Sequence, residues 1–145
     1  MVEQFILFLI YSLTGFSQVT VTPVDGSAQM DYLTNLYYNY SYSQTIYTQA
    51  QISQGGTIQS IQFEYDGYSS GGTRNWTVYM GHTTKSSFSS TSDWISTGSM
   101  TQVFSGNYTF NTSSGWYEID LDTDFDYNNS DNLVLVTIVY YTPYL

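Results

Sequence analysis

The segment Leu133-Val-Leu-Val-Thr-Ile-Val-Tyr-Tyr141 has no regular alternation of polar and apolar residues. It is far shorter than the ~20 residues that cross a bilayer as a helix, and it is rich in β-branched side chains. A strand of this kind is stable only when both of its faces are covered, so it is expected at the centre of a sheet with material on each side. That requirement shapes the reading of the remaining chain.

No window after Gln18 carries helical periodicity, and short alternating runs dominate instead. Val19–Thr22 alternates up to Pro23, and Tyr42–Tyr47 is β-prone. Thr57–Tyr65 places Thr57, Ile61, Phe63 and Tyr65 on one face, and Asp66-Gly67 offers a turn. Arg74–Met80 alternates and is expected to stop at Gly81. Ser105-Gly106 reads as a hairpin between Thr101–Phe104 and Asn107–Phe110. Trp116–Leu121 alternates cleanly. Many short strands with Gly, Ser and Asn turns predict an all-β fold, an antiparallel β-sandwich of jelly-roll type. The connection from Gly81 to Ser99 is polar apart from Phe88, Trp94 and Ile95, which are expected to plug one end of the core.

The N-terminus reads as an address. Phe5–Leu13 is an apolar run too short to span a membrane, and Gly15-Phe16-Ser17 puts small residues at the −3 and −1 positions. Residues 1–17 are therefore expected to be a signal peptide cleaved before Gln18, although Met1–Gln4 lacks the usual basic residue. The alternative is an N-terminal strand or helix that stays on. The remaining residues 18–145 read as one domain without a membrane span, secreted or at the cell surface.

Charge and composition remove whole classes of function. Two basic residues against twelve acidic ones give a formal net charge of −10, opposite to what a nucleic-acid binder needs. Without cysteine there are no disulfides, thiol nucleophiles or Cys-ligated metals, and the single His82 rules out a multi-His metal site within one chain.

Several segments taken in order resemble a β-sandwich module of large secreted and surface proteins of Bacteroidetes-type bacteria. They are Gly55-Gly56-Thr-Ile58 with Ser60-Ile61 and Phe63; Trp76 through Phe88; Asp93-Trp94-Ile95; Val103–Gly106; Gly115–Leu121; and Phe125–Tyr127 with Asn132–Val134. The likeness spans roughly residues 42–136. Asp124 stands where that family often has Pro. The resemblance implies a non-catalytic module beside adhesin or fibronectin-like domains, and it transfers no catalytic residues. It also raises the expectation that the chain is C-terminally truncated, with a sandwich strand missing.

Three kinds of candidate site follow from the residues. Glu118, Asp120, Asp122, Asp124 and Asp126 recur with period 2, which sets them on one strand face opposite Ile119, Leu121, Thr123, Phe125 and Tyr127. Asp122, Asp124, Asp126, Asn128 and Ser130 are loosely spaced like an oxygen-ligand Ca²⁺ loop, without the Gly and closing Glu of an EF-hand. A solvated strand face is the competing reading. Exposed aromatics could stack on the apolar C–H faces of sugars. Tyr40, Tyr42, Tyr65 and Tyr68 are the candidates, whereas Trp76 and Trp116 are expected in the core.

Catalysis would need His82 with Asp93 and a serine, or a Glu64–Glu118 pair acting as in glycosidases. No nucleophile elbow surrounds any serine. The expected function is thus an exported, non-enzymatic binding or adhesion module, with an extracellular polysaccharide or surface protein as partner. The alternative is self-association into a fibre by strand addition at an open edge beside Leu133–Tyr141.

Overall fold

The computed structural model describes residues 8–12, 18–21, 38–65, 72–110 and 113–141. Its strands are β1 (Phe8–Ser12), β2 (Gln18–Val21), β3 (Tyr40–Tyr47), β4 (Gly56–Tyr65), β5 (Gly72–Thr83), β6 (Thr101–Phe110), β7 (Gly115–Tyr127) and β8 (Asn132–Tyr140). A four-residue helix, α1 (Gln49–Ile52), follows β3, and a 3-10 turn, Thr97–Ser99, precedes β6. The helix exists because Thr48 and Gln51 form a reciprocal capping box, and Ser53 ends it in the left-handed region at φ 54°.

Two four-stranded sheets result, ordered β2-β1-β4-β7 and β3-β8-β5-β6, and every strand pair is antiparallel. They pack face to face as an all-β sandwich. Phe63 of the first sheet stacks on Trp76 of the second at 5.6 Å between ring centroids, and on Tyr117 at 6.0 Å. Tyr108 leans on both Phe63 and Trp76. Ile58, Ile61, Val78, Met80, Ile119 and Leu135 fill the layer below these rings. Toward the opposite end of β5, His82 lies over Phe125 and Tyr127.

β8 sits between β3 and β5 and is buried from Leu133 through Thr137. Leu133, Leu135 and Val139 point into the core, and Val134 and Val136 turn the other way yet are fully inaccessible to solvent. The chain between β5 and β6 covers them. Gly81 leaves room for Met100, since a Cβ there would come within 2.8 Å of Met100 Cγ and 3.5 Å of Val134 Cγ1. Trp94 and Ile95 therefore do not plug the core between the sheets: they belong to a flap that meets Tyr42 and Gln44 on the outer face of the second sheet, and Phe88, half-buried in the same flap, is not among the core residues either. The open edge expected beside Leu133–Tyr141 is also filled, with β3 on one side and β5 on the other.

Other local expectations are corrected by register. A bulge between Ile58 and Ser60 turns Ile58 rather than Thr57 into the core. β6 is continuous through Ser105-Gly106 rather than a hairpin. Gly106 pairs with Trp76, and the ring of Phe104 approaches where its Cβ would be, at 3.4 Å. β5 likewise runs on past Gly81 to Thr83. The turn expected at Asp66-Gly67 lies outside the described residues.

The leader core overlaps β1, which pairs with β4 from Phe8↔Gln62 to Ser12↔Thr57. The far edge of that sheet is protected. The Ser105 backbone N–H of β6 donates to Asp122 Oδ2 of β7 at 2.9 Å, and the Tyr108 hydroxyl donates to the Glu118 carbonyl at 3.1 Å. Side chains thus occupy one main-chain group on the edge strand of each sheet, the Glu118 carbonyl of β7 and the Ser105 N–H of β6.

The cover over β8 has a measurable signature. Val136→Ala should cost about 2 kcal/mol in urea unfolding, because it removes buried apolar volume. Ile138→Ala, two residues on along the same face and only half-buried, should cost clearly less. Equal costs would place the flap elsewhere.

Candidate functional site: an uncharged aromatic face

The outer face of the second sheet follows from the pairing register. Tyr40, Tyr42, Gln44 and Ile46 of β3 stand opposite Tyr140, Ile138, Val136 and Val134 of β8. Asn75, Thr77, Tyr79 and Gly81 of β5 continue the same rows. Directly paired residues share a face, so this surface carries no charged side chain at any of these positions. It is apolar and covered at the Val134 end, and aromatic and open at the Tyr140 end, where Tyr40 is 58% and Tyr140 37% exposed.

The flap contributes a third ring. Trp94 is 53% exposed and meets Tyr42 edge to face, with centroids 5.0 Å apart and planes at 81°. Gln44 fixes this arrangement. Its side-chain amide accepts from the Ile95 N–H at 2.9 Å and donates to the Ile95 carbonyl at 2.7 Å, as a strand neighbour would. The same Nε2 donates to the Tyr42 hydroxyl at 2.7 Å. One buried glutamine thereby holds both members of the ring pair.

Asp93, next to Trp94, pins the flap at its other side. It forms an ion pair with Lys85 and accepts from the Ser89 N–H and hydroxyl, both at 2.9 Å. The Lys85 bond, then those from Ser89, hold its carboxyl down at about 2, below the ordinary 3.8. The Lys85 carbonyl in turn accepts from Asn132 Nδ2 at 2.9 Å, tying the flap to the start of β8.

The remaining candidates separate. Tyr65 is buried at 4% exposure and packs against Tyr117, so it cannot contact a ligand; with Ile61 and Phe63 inward, period 2 already placed it there. Tyr68 lies outside the described residues. Trp116 is 44% exposed, contrary to the core expectation, because it shares the outward parity of Glu118 and Asp120.

The acidic ladder does alternate as its spacing predicts, except that Thr123 is exposed as well. Its members have separate partners. Asp122 holds Ser105, Asp124 accepts from Gln59 Nε2 at 3.3 Å, and Asp126 accepts from the Thr57 hydroxyl at 2.6 Å. Asn128 Oδ1 closes a turn by accepting from the Ser130 and Asp131 N–H groups. Among the described residues no three His, Asp or Glu side chains are grouped to hold a metal ion.

His82 and Asp93 are not joined. His82 Nε2 accepts from the Asn128 N–H at 3.2 Å, a turn-holding role, and Asp93 is taken by Lys85 and Ser89. Glu64 pairs with Trp116, and Glu118 accepts from the Ser60 hydroxyl at 2.6 Å on the outer face of the first sheet. No helix among the described residues is long and apolar enough to cross a membrane.

No family model, curated protein or solved structure matches the chain.

Two outcomes follow from the flap. Gln44→Ala leaves the Ile95 amide without its acceptor, so its hydrogen exchange should accelerate at least tenfold, with about 1–3 kcal/mol lost in stability. The Asp93 carboxyl is depressed on folding, so its contribution is complete above the ordinary value of 3.8 and is lost as pH falls toward about 2. Acidification from pH 5 to 2 should therefore release the Ser89 N–H, followed by its NMR shift, and Asp93→Asn should abolish that pH dependence.

Proposed function

We propose that the protein is an exported binding module, without catalytic activity, that holds carbohydrate on the outer face of its second sheet. The observation that carries this reading is the exposed, uncharged cluster formed by Tyr40, Tyr42, Trp94 and Tyr140. Aromatic rings are costly to leave in water, and here Tyr42 and the main chain beside Trp94 are held by a buried hydrogen-bonded glutamine. Sugars offer apolar C–H faces to such rings, and Asn75 and Thr77 lie on the same face with amide and hydroxyl groups suited to sugar hydroxyls.

Export rests on the leader-like residues 1–17, with their short apolar run and small residues before Gln18. The likeness to surface modules of Bacteroidetes-type bacteria agrees with it. Cleavage before Gln18 would remove β1, and β4 would keep its ladder with β7. This reading is built on the aromatic face without calcium; on the opposite face Asp122, Asp124 and Asp126 each accept from a separate protein donor.

Affinity electrophoresis through gels containing soluble polysaccharides tests the proposal. The native protein should be retarded by at least one of them. Trp94→Ala and Tyr42→Ala should each weaken retention about tenfold or more, the size expected for a central aromatic contact. Both rings are partly exposed, so circular dichroism melting should change little for Trp94→Ala. Retention unaffected by either substitution would remove this face from the function.

A further inference from the structure

Resting on the carbohydrate reading above, we propose that the ligand is a single, neutral glycan chain lying along β3, rather than a flat crystalline polysaccharide surface or an acidic glycan. Three observations converge on it.

The first is the angle between rings. Tyr42 and Trp94 stand at 81° to one another. A crystalline polysaccharide presents a plane and needs rings set coplanar to lie against it. Perpendicular rings make a corner instead, which touches one sugar from two sides and cannot lie flat on a sheet of them.

The second is the direction of the row. Tyr40 and Tyr42 are two residues apart on one strand face, about 7 Å at a strand's rise. Tyr140 pairs directly with Tyr40, roughly 5 Å away across the ladder. The open aromatics thus run in a narrow line from the Trp94 corner toward the Tyr40–Tyr140 pair. A line longer than one sugar ring suits a chain.

The third is charge. The formal net charge is −10, and both basic residues are engaged. Lys85 pairs with Asp93, and the Arg74 guanidinium lies 4.6 Å from the centre of the Tyr141 ring. A uronate or sulfated chain would therefore meet an overall repulsive field and find no cation on the face to compensate it.

The test measures one protein against three kinds of probe: soluble galactomannan and xyloglucan in affinity gels, alginate in the same format at 150 mM salt, and microcrystalline cellulose by depletion from solution. The expected result is retardation by a neutral soluble chain, none by alginate and no depletion by cellulose. Tyr40→Ala should weaken binding about threefold to tenfold, as a ring further along the line, without altering the melting temperature. Depletion by cellulose would overturn the single-chain inference, and retardation by alginate would overturn the neutral one, each leaving the carbohydrate reading standing. Absence of binding to all three would overturn the carbohydrate reading itself. Binding to a neutral chain that ignores Tyr40→Ala would overturn the placement along β3.

Discussion

A strand that is apolar on both faces cannot end its burial at the edge of an ordinary sandwich. β8 fills the core with Leu133, Leu135 and Val139, and still has Val134 and Val136 to hide on the other side. Leaving them in water would cost on the order of 1.5–3 kcal/mol each. The chain meets that demand with the flap between β5 and β6, seated on Gly81 and tied to Gln44. The ring pair of Tyr42 and Trp94 is a by-product of this solution. Trp94 is adjacent to Ile95, the residue whose main chain is clamped. The cover over β8 and the candidate site thus share a single side-chain amide.

Much of this was legible in the residues because sheet faces obey a simple parity. The run at Leu133–Tyr141 announced a central strand, and the carboxylates of β7 fell outward as their spacing requires. Trp116 is even-numbered with Glu118 and Asp120, and Tyr65 is in phase with Ile61 and Phe63, so exposure of the first and burial of the second were both implied. What local spacing could not supply were the places where the chain departs from strict pairing. The bulge at Gln59 exchanges Thr57 for Ile58, and Gly106 admits a neighbouring ring instead of making a turn.

The central element of the candidate site was illegible for a different reason. Trp94 sits in a Ser- and Thr-rich connection without period, and its position is decided by Gln44, 50 residues earlier in the chain. Nothing near Trp94 in sequence specifies that contact. Tyr40 and Tyr42 could be picked out as surface aromatics from β3 alone, but the geometry that gives them a corner partner belongs to the tertiary fold.

The two outer faces of the sandwich differ in kind. One presents Glu64, Glu118, Asp120 and further carboxylates of β7; the other is uncharged along the paired positions of β3, β8 and β5. Among the described residues the sandwich is therefore electrically lopsided across its thickness. On a positively charged support it would settle acid face down, and the aromatic face would look outward into solution. Adsorption to an anion-exchange bead would amount to oriented immobilisation, in which the fold itself serves as the tether.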